Sequence, residues 1–330
     1  MLPGLAPFAL AEFRHKNIDA TQISDTDISL SCVSLPHDLR TVTALYSRLE
    51  FTIPRPKALL GNTEFQVLIK GIDRVRGQNT FGSFRVDAAG SDSPVFQRLI
   101  GALEKQLSLP HDPEDGDLLL RIRPSPNKRA HQDGWQVLVR TTPRPLSARA
   151  WRMCNLPGGL NACVAAAMLE VANVRPFERL LNAMCGSGTL LIEQANKQRI
   201  KESWGVDINE DALACAQQNL HAAKPNITQP IRLEQADVTA LACEDACVDV
   251  VVCDPPWGDA LGSVTNNRDL YPRFLTEMAR VITPHGRLIM ITHDIKRFER
   301  DLAASPWQKT AEVKVFHGGH YPRIYRLERP

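Results

Sequence analysis

An acid, two prolines and a tryptophan stand together where an apolar run ends, in VVCDPPWG: Asp254, Pro255, Pro256 and Trp257. Proline cannot donate to a β-ladder, so the pair marks the end of a strand rather than its middle. These residue types suit one difficult reaction. An exocyclic amine on a nucleobase is a poor nucleophile, because its lone pair is delocalised into the ring. A carboxylate on Asp254 can accept one N–H, and a backbone carbonyl beside the Pro-Pro turn can accept the other. Held this way, the lone pair turns toward an electrophilic carbon, and positioning supplies much of the rate. Trp257 offers a face on which the base can stack, worth about 1–3 kcal/mol.

A second constellation lies upstream. NAMCGSGT places Gly186 and Gly188 where an apolar strand meets a helix, a geometry that brings free backbone N–H groups close to a ligand. Asp207, in GVDIN, follows at the end of the next strand-like piece, where a carboxylate would hold ribose hydroxyls. A dinucleotide fingerprint would need a third glycine, but Leu191 occupies that position. Glu193 in the following helix disfavours a pyrophosphate and suits a ligand with a cationic amino-acid end, such as S-adenosylmethionine. Asp237, in ADV, falls at a third strand tip, where it could recognise the adenine amino group. Both Asp207 and Asp237 could instead cap the helices that follow them.

Elements at these places imply an alternating fold. From about residue 151, apolar strand-like runs (RLLNAM, VDVVVC, GRLIMITHD) alternate with helical runs (NACVAAAMLEVANV, TLLIEQANKQR, DALACAQQNLHAA, PRFLTEMARVI). That order reads as a parallel sheet covered on both faces. AEVKVFHGG and RIYRLER have no long helix between them and should pair as an antiparallel hairpin. Further upstream, helices are expected at Pro7–His15, His37–Leu49 and SPVFQRLIGALEKQL, and strands at FGSFRVDAAG, LLLRIRP and GWQVLVRTT. TPRPLSARAWR reads as an exposed linker.

At 330 residues and 43% hydrophobic content, the chain is long for one core and reads as globular. No apolar run reaches membrane-spanning length, and MLPGLAPFALAEFRHK lacks the basic flank of a signal peptide, so a cytoplasmic location is expected. Eight cysteines are scattered without a CxxC pair or zinc spacing, so reduced, buried thiols and no metal are expected. Between Arg121 and Arg152 eight Lys/Arg face a single acid, Asp133, a local balance of +7 that suits a nucleic-acid backbone. Candidate phosphate contacts are Arg121, Arg123, Lys128, Arg129, Arg140 and Arg149.

NAMCGSGT, GVDIN, ADV and DPPWG resemble the four motifs of class I amino-methyltransferases with a (D/N)PP(Y/F/W) loop. PLSARAWRMCNLPGGLNACVAAAML is similar to the segment that leads from a THUMP domain into a THUMP-class RNA methyltransferase, and HGGHYPRIYRL resembles that family's terminal hairpin. The resemblance implies an α/β fold: a Rossmann-like class I methyltransferase domain at 151–330, preceded by α+β ferredoxin-like (1–65) and THUMP RNA-binding (66–150) domains. It implies S-adenosylmethionine as cofactor, held by Leu160, Asn161, Asn182, Cys185, Gly186, Ser187, Gly188, Thr189, Glu193, Asp207, Ile208, Asn209, Asp237, Val238 and Asp254. It further implies methylation of guanine N2 in tRNA. Ribosomal RNA is an alternative substrate, and DNA adenine N6 an alternative target. Trp257 replaces the commoner Tyr or Phe, and Asn182 stands where many relatives have Asp; both replacements keep the capacity to stack or to hydrogen-bond.

Overall fold

Leu5, Ala9 and Phe13, spaced four apart, form one buried stripe, and Pro7 sits in the first turn, where its missing N–H costs nothing; the result is helix α1, Ala6–His15. Strands β1 (Asp19–Gln22) and β2 (Ile28–Ser31) follow as an antiparallel pair. Ser24 Oγ accepts the Thr26 and Asp27 N–H groups and closes the bend between them. In the computed structural model the described residues are 1–31, 36, 38–125, 134–224, 227, 229–256 and 267–329, without the side chains of 267–269. Two units divide the chain, Met1–Val42 with Ser147–Pro330, and Thr43–Leu146.

This division differs from the expected one at 65 and 150. The first 42 residues join the C-terminal unit because Leu5 is buried with Leu160, Val164, Val315 and Ile324, and because Phe316 N–H donates to Pro3 C=O. Among their described residues they hold one helix and one two-stranded ladder, grouped with Ser147–Pro330.

The Thr43–Leu146 unit takes the rest of that stretch. It contains β3 (Tyr46–Phe51), α2 (Asn62–Arg76), β4 (Phe84–Ala88), α3 (Pro94–Leu107), β5 (Leu118–Pro124) and β6 (Trp135–Arg140). The sheet runs β3-β6-β5-β4, antiparallel except for the β4–β5 pair. Leu68, Ile72, Leu99 and Leu103 from the helices close on Phe84, Leu118, Leu120, Val137 and Val139. The helix expected over 37–49 is absent from its described part: Tyr46–Phe51 is strand, because its backbone pairs with β6 residue by residue from Tyr46↔Arg140 to Phe51↔Trp135.

The C-terminal unit carries α4 (Ala162–Ala172), β7 (Arg179–Ala183), α5 (Thr189–Lys197), β8 (Glu202–Asp207), α6 (Glu210–Ala223), β9 (Ile231–Gln235), β10 (Val248–Cys253), α7 (Asn267–Val281), β11 (Ile282–Thr292), α8 (Ile295–Ala303), β12 (Gln308–Lys314) and β13 (Arg323–Glu328). Strand order is β12-β13-β11-β10-β7-β8-β9, parallel except for β13, which runs antiparallel to β11 and β12. This is a Rossmann-like sheet, and the terminal hairpin forms as expected. The chain steps outward from β7 through β8 to β9, then returns to β10 on the other side of β7. Between β7 and β10 the strand order reverses, and open α/β sheets bind ligands at the carboxyl edge of such a switch point.

Candidate active site

Register fixes what meets at that edge. Ala183 on β7 lies opposite Val206 on β8 and Cys253 on β10. The next residue on each strand is Met184, Asp207 and Asp254, so the glycine loop, the first acid and the DPP loop leave adjacent strand tips at one level.

The glycine loop is a run of left-handed backbone. Met184, Gly186 and Gly188 have φ of +54°, +50° and +78°. For Met184 this is costly, and such strain persists where the surroundings over-determine it. A Cβ on Gly186 would meet nothing within 4 Å, so the backbone faces open space that a ligand can fill. A Cβ on Gly188 would lie 3.2 Å from the Ala216 side chain, which packs the loop against α6. Gly188→Ala should therefore lose about 1–2 kcal/mol from left-handed strain alone, read as a lower urea midpoint at unchanged slope. Cys185 contributes by packing: its N–H donates to Val206 C=O at 2.9 Å, and burial pushes its thiol up to about 12.

Asp207 ties the loop to the next strand. One carboxylate oxygen accepts the Gly186 N–H at 2.8 Å, and the other accepts the Asn209 N–H at 3.0 Å. An ionised carboxylate has about four acceptor sites, so capacity remains for sugar hydroxyls. Ile208, next in sequence, is 67% exposed and presents an apolar face at the same edge. Asn209 caps α6 by accepting the Asp211 and Ala212 N–H groups. Asp237 closes a turn rather than capping a helix, its Oδ1 accepting the Thr239 N–H and hydroxyl at 2.8 and 2.7 Å, which holds its carboxyl below the usual range. Val238 packs in the core.

Asn182 is 1% exposed; its Nδ2 donates to Val252 C=O at 3.2 Å, while its Oδ1 has no partner among the described residues. A buried acceptor left this way between β7 and β10 suits a ligand donor such as an ammonium group. Asn161 is the N-cap of α4, accepting from the Cys163 N–H at 2.9 Å. Ser187 and Thr189 are buried, their hydroxyls 3.4 Å apart. Asp254 is half-buried, between buried Cys253 and buried Pro255, and Pro256 is exposed. Trp257 lies outside the described residues.

Glu193 is not at the ligand edge. Its carboxylate is 2% exposed and shared by two guanidiniums: Arg40 at 2.8 Å and Arg149 at 2.7 Å. A carboxylate so committed is unavailable to a ligand ammonium, which withdraws the role expected for it. Arg149 leaves the phosphate-contact set for the same reason, since it also donates to Arg40 C=O at 2.7 Å. Arg140 leaves it too: it is 4% exposed and donates to the Thr142, Asp117 and Pro143 carbonyls. Arg121 is part-exposed and paired with Asp87 at 2.7 Å. Arg123 is part-exposed, and Lys128 and Arg129 lie outside the described residues.

Three features at the edge are absent from the residues expected by sequence. Asn219 on α6 accepts the Met153 and Cys154 N–H groups and donates to Cys154 and Ser187 carbonyls, fastening the linker beside the glycine loop. Cys154 is also disulfide-bonded to Cys215, where free thiols were expected. The Arg323↔Thr292 register carries the β12–β13 turn past the tip of β11, and the rings of His293 and His320 lie 5.2 Å apart there. The THD at a strand end and the HGGHY turn were visible signals for this pair; nothing local marks Asn219.

Comparison with known proteins bears on this arrangement. The RMKL-like methyltransferase domain matches residues 149–323, more than half of the chain. The chain belongs to the RMKL-like methyltransferase family. A Thermus thermophilus protein named tRNA (guanine(6)-N2)-methyltransferase is 31% identical over 257 residues, covering 75% of this chain and 73% of the relative. A human protein named tRNA (guanine(6)-N(2))-methyltransferase THUMP3 is 32% identical over 185 residues, 52% of this chain. The match spans only 36% of the human relative's length. The fold is like that of TrmN from Thermus thermophilus, with TM-score 0.79 at 24% identity over 100% of this chain and 98% of that one. Within the RMKL-like match fall every motif at the edge and the linker residues from Arg149 onward. Among the described residues no helix is long and apolar enough to cross a membrane.

Proposed function

We propose that the chain methylates the exocyclic N2 amine of a guanine in tRNA, using S-adenosylmethionine. The observation that carries this reading is the register that sets the glycine loop, Asp207 and Asp254 on neighbouring strand tips at the switch point. The residues fit the cofactor: open space over Gly186, spare acceptor capacity on Asp207, an exposed apolar Ile208 and the buried Asn182 Oδ1. When bound, the cofactor supplies an electrophilic methyl group on a sulfonium sulfur. Asp254 accepts an N–H of the target amine and directs its lone pair, and buried Pro255 keeps the carboxylate in place. Trp257 is assigned, on sequence alone, the stacking face for a base taken out of its helix. Guanine N2 and tRNA come from the names of the Thermus and human relatives.

Thr43–Leu146 is read as the THUMP-like, RNA-gripping unit, on the resemblance and the basic surplus of that stretch. Arg121 and Arg123 remain its candidate phosphate contacts, with Lys128 and Arg129 assigned from sequence. The test is incubation of the full chain with methyl-labelled S-adenosylmethionine and an unmodified tRNA transcript, followed by nucleoside mass spectrometry. N2-methylguanosine is the expected product. Label in N6-methyladenosine of duplex DNA, with none in tRNA, would overturn the assignment.

A further inference from the structure

Cys243 and Cys247 lie in the segment between β9 and β10, at the opposite end of β10 from Asp254. The Cys247 thiol donates to Cys243 Sγ at 3.1 Å, and both residues are half-buried. A covalent S–S bond, about 2.05 Å long, needs an approach of only about 1 Å more. Ala246, directly before Cys247, has a φ of +53°, a left-handed conformation that is costly for a residue with a Cβ. That strained residue reverses the chain and returns Cys247 to Cys243.

Two arginines hold the segment in this shape. Arg280 on α7 donates to the Leu241 and Cys243 carbonyls at 2.9 and 2.8 Å and to Asp245 Oδ1 at 2.8 Å. Its own C=O accepts the Ala246 N–H at 2.9 Å, and Arg179 on β7 donates to Ala246 C=O at 3.4 Å. Each guanidinium also stands in electrostatic reach of one thiol, Arg280 of Cys243 and Arg179 of Cys247. A cation beside a thiol favours its thiolate. The two thiols are not equivalent. Burial and the Cys243 sulfur push the Cys247 thiol up to about 12, so Cys247 keeps its proton and charge develops on the sulfur that accepts it. Ala242, Glu244 and Asp245 on either side of Cys243 are exposed, which gives a small reagent access, whereas Cys163, Cys185 and Cys253 are buried.

We propose that Cys243 and Cys247 form a reversible dithiol–disulfide site that exchanges with a low-molecular-weight disulfide of the glutathione type. Cys243 attacks and Cys247 resolves. The Cys243 thiolate bonds to one sulfur of glutathione disulfide, the S–S bond of that molecule breaks, and the departing thiolate takes up the proton that Cys243 lost. With Cys243 in a neutral mixed disulfide, the charge that held the Cys247 proton is gone. Cys247 then gives up that proton and attacks the Cys243 sulfur, and the second glutathione leaves and takes the proton. In sum, two protein thiols are oxidised to one disulfide, and one glutathione disulfide is reduced to two thiols. The site stands at the amino end of β10, away from the glycine loop and Asp254, and owes nothing to the cofactor reading.

The test uses the full chain, folded and pre-reduced, incubated with glutathione disulfide, quenched with N-ethylmaleimide and cut after glutamate. Glu244 lies between the two cysteines, so cleavage there separates them unless a disulfide joins the fragments. In the parent, the fragment ending at Glu244 and the one beginning at Asp245 should stay joined, carry no glutathione, and come apart on treatment with dithiothreitol. Cys247→Ser should abolish the joining and leave glutathione trapped on Cys243. Cys243→Ser should leave Cys247 free for N-ethylmaleimide. Separate fragments with both cysteines alkylated in the parent overturn the proposal without any variant. Glutathione retained on Cys243 of the parent does so too, because Cys247 would then not resolve it. Joining that survives in Cys247→Ser would give the bond to Cys253 and overturn it as well. Glutathione captured by Cys247 in Cys243→Ser at the parent rate would overturn the assigned order of attack.

Discussion

Asp254→Ala is expected to lower methyl transfer by about two to four orders of magnitude while S-adenosylhomocysteine still binds, the usual range for losing one positioned proton acceptor. The separation follows from where the residue sits. Asp254 leaves β10 level with the glycine loop, but the loop is held by Asp207, Asn219 and the Val206 carbonyl, none of which involves Asp254. Removing the carboxylate leaves those three contacts in place and takes away the group proposed to accept from the target amine. Single-turnover kinetics on tRNA together with calorimetry on S-adenosylhomocysteine check both halves. Parent-like turnover in the variant would remove Asp254 from the chemistry.

Glu193→Ala should cost about 3–5 kcal/mol of stability, because it strands two guanidiniums around one buried position. Arg149 is 12% and Arg40 19% exposed, so water cannot replace the lost carboxylate easily. The urea midpoint reports the loss, and S-adenosylhomocysteine affinity at low temperature should stay near the parent value. The opposite pattern, weak binding with full stability, would restore Glu193 to the cofactor's amino-acid end.

The contrast between these acids shows what local sequence carries. The positions of Asp207 and Asp254 are legible because both stand at strand ends, and strand ends announce themselves through apolar runs, glycines and prolines. Glu193 is misleading for a physical reason: its partner Arg40 lies 153 residues away, and nothing in TLLIEQANK encodes that pairing. Arg140 and Arg149 mislead likewise, since a basic run does not reveal which guanidiniums fold inward onto carbonyls or acids. Helix α2 is the reverse case. Phe65, Leu68, Ile69, Ile72 and Val75 carry helical spacing, yet the expected elements lack this helix because IPRPKALLG breaks the pattern just before it and the boundary expected at 65 falls inside it. Pairing with β6 makes β3 a strand, and no window of seven residues contains that information.

Strand order is the part of the site that no motif states. The glycine loop and the DPP loop are separated by about seventy residues of chain, and only the return of β10 alongside β7 makes them neighbours. The claim that this edge directs a methyl group onto an exocyclic guanine amine is therefore best tested on the substrate itself. Once the methylated position in tRNA is located, a transcript with inosine in place of that guanosine lacks only the amine. The account predicts N2-methylguanosine at that position in the guanosine transcript and no methyl incorporation there with inosine. Equal incorporation into the inosine transcript would contradict it, because the methyl would then be going to an atom that Asp254 was never placed to hold.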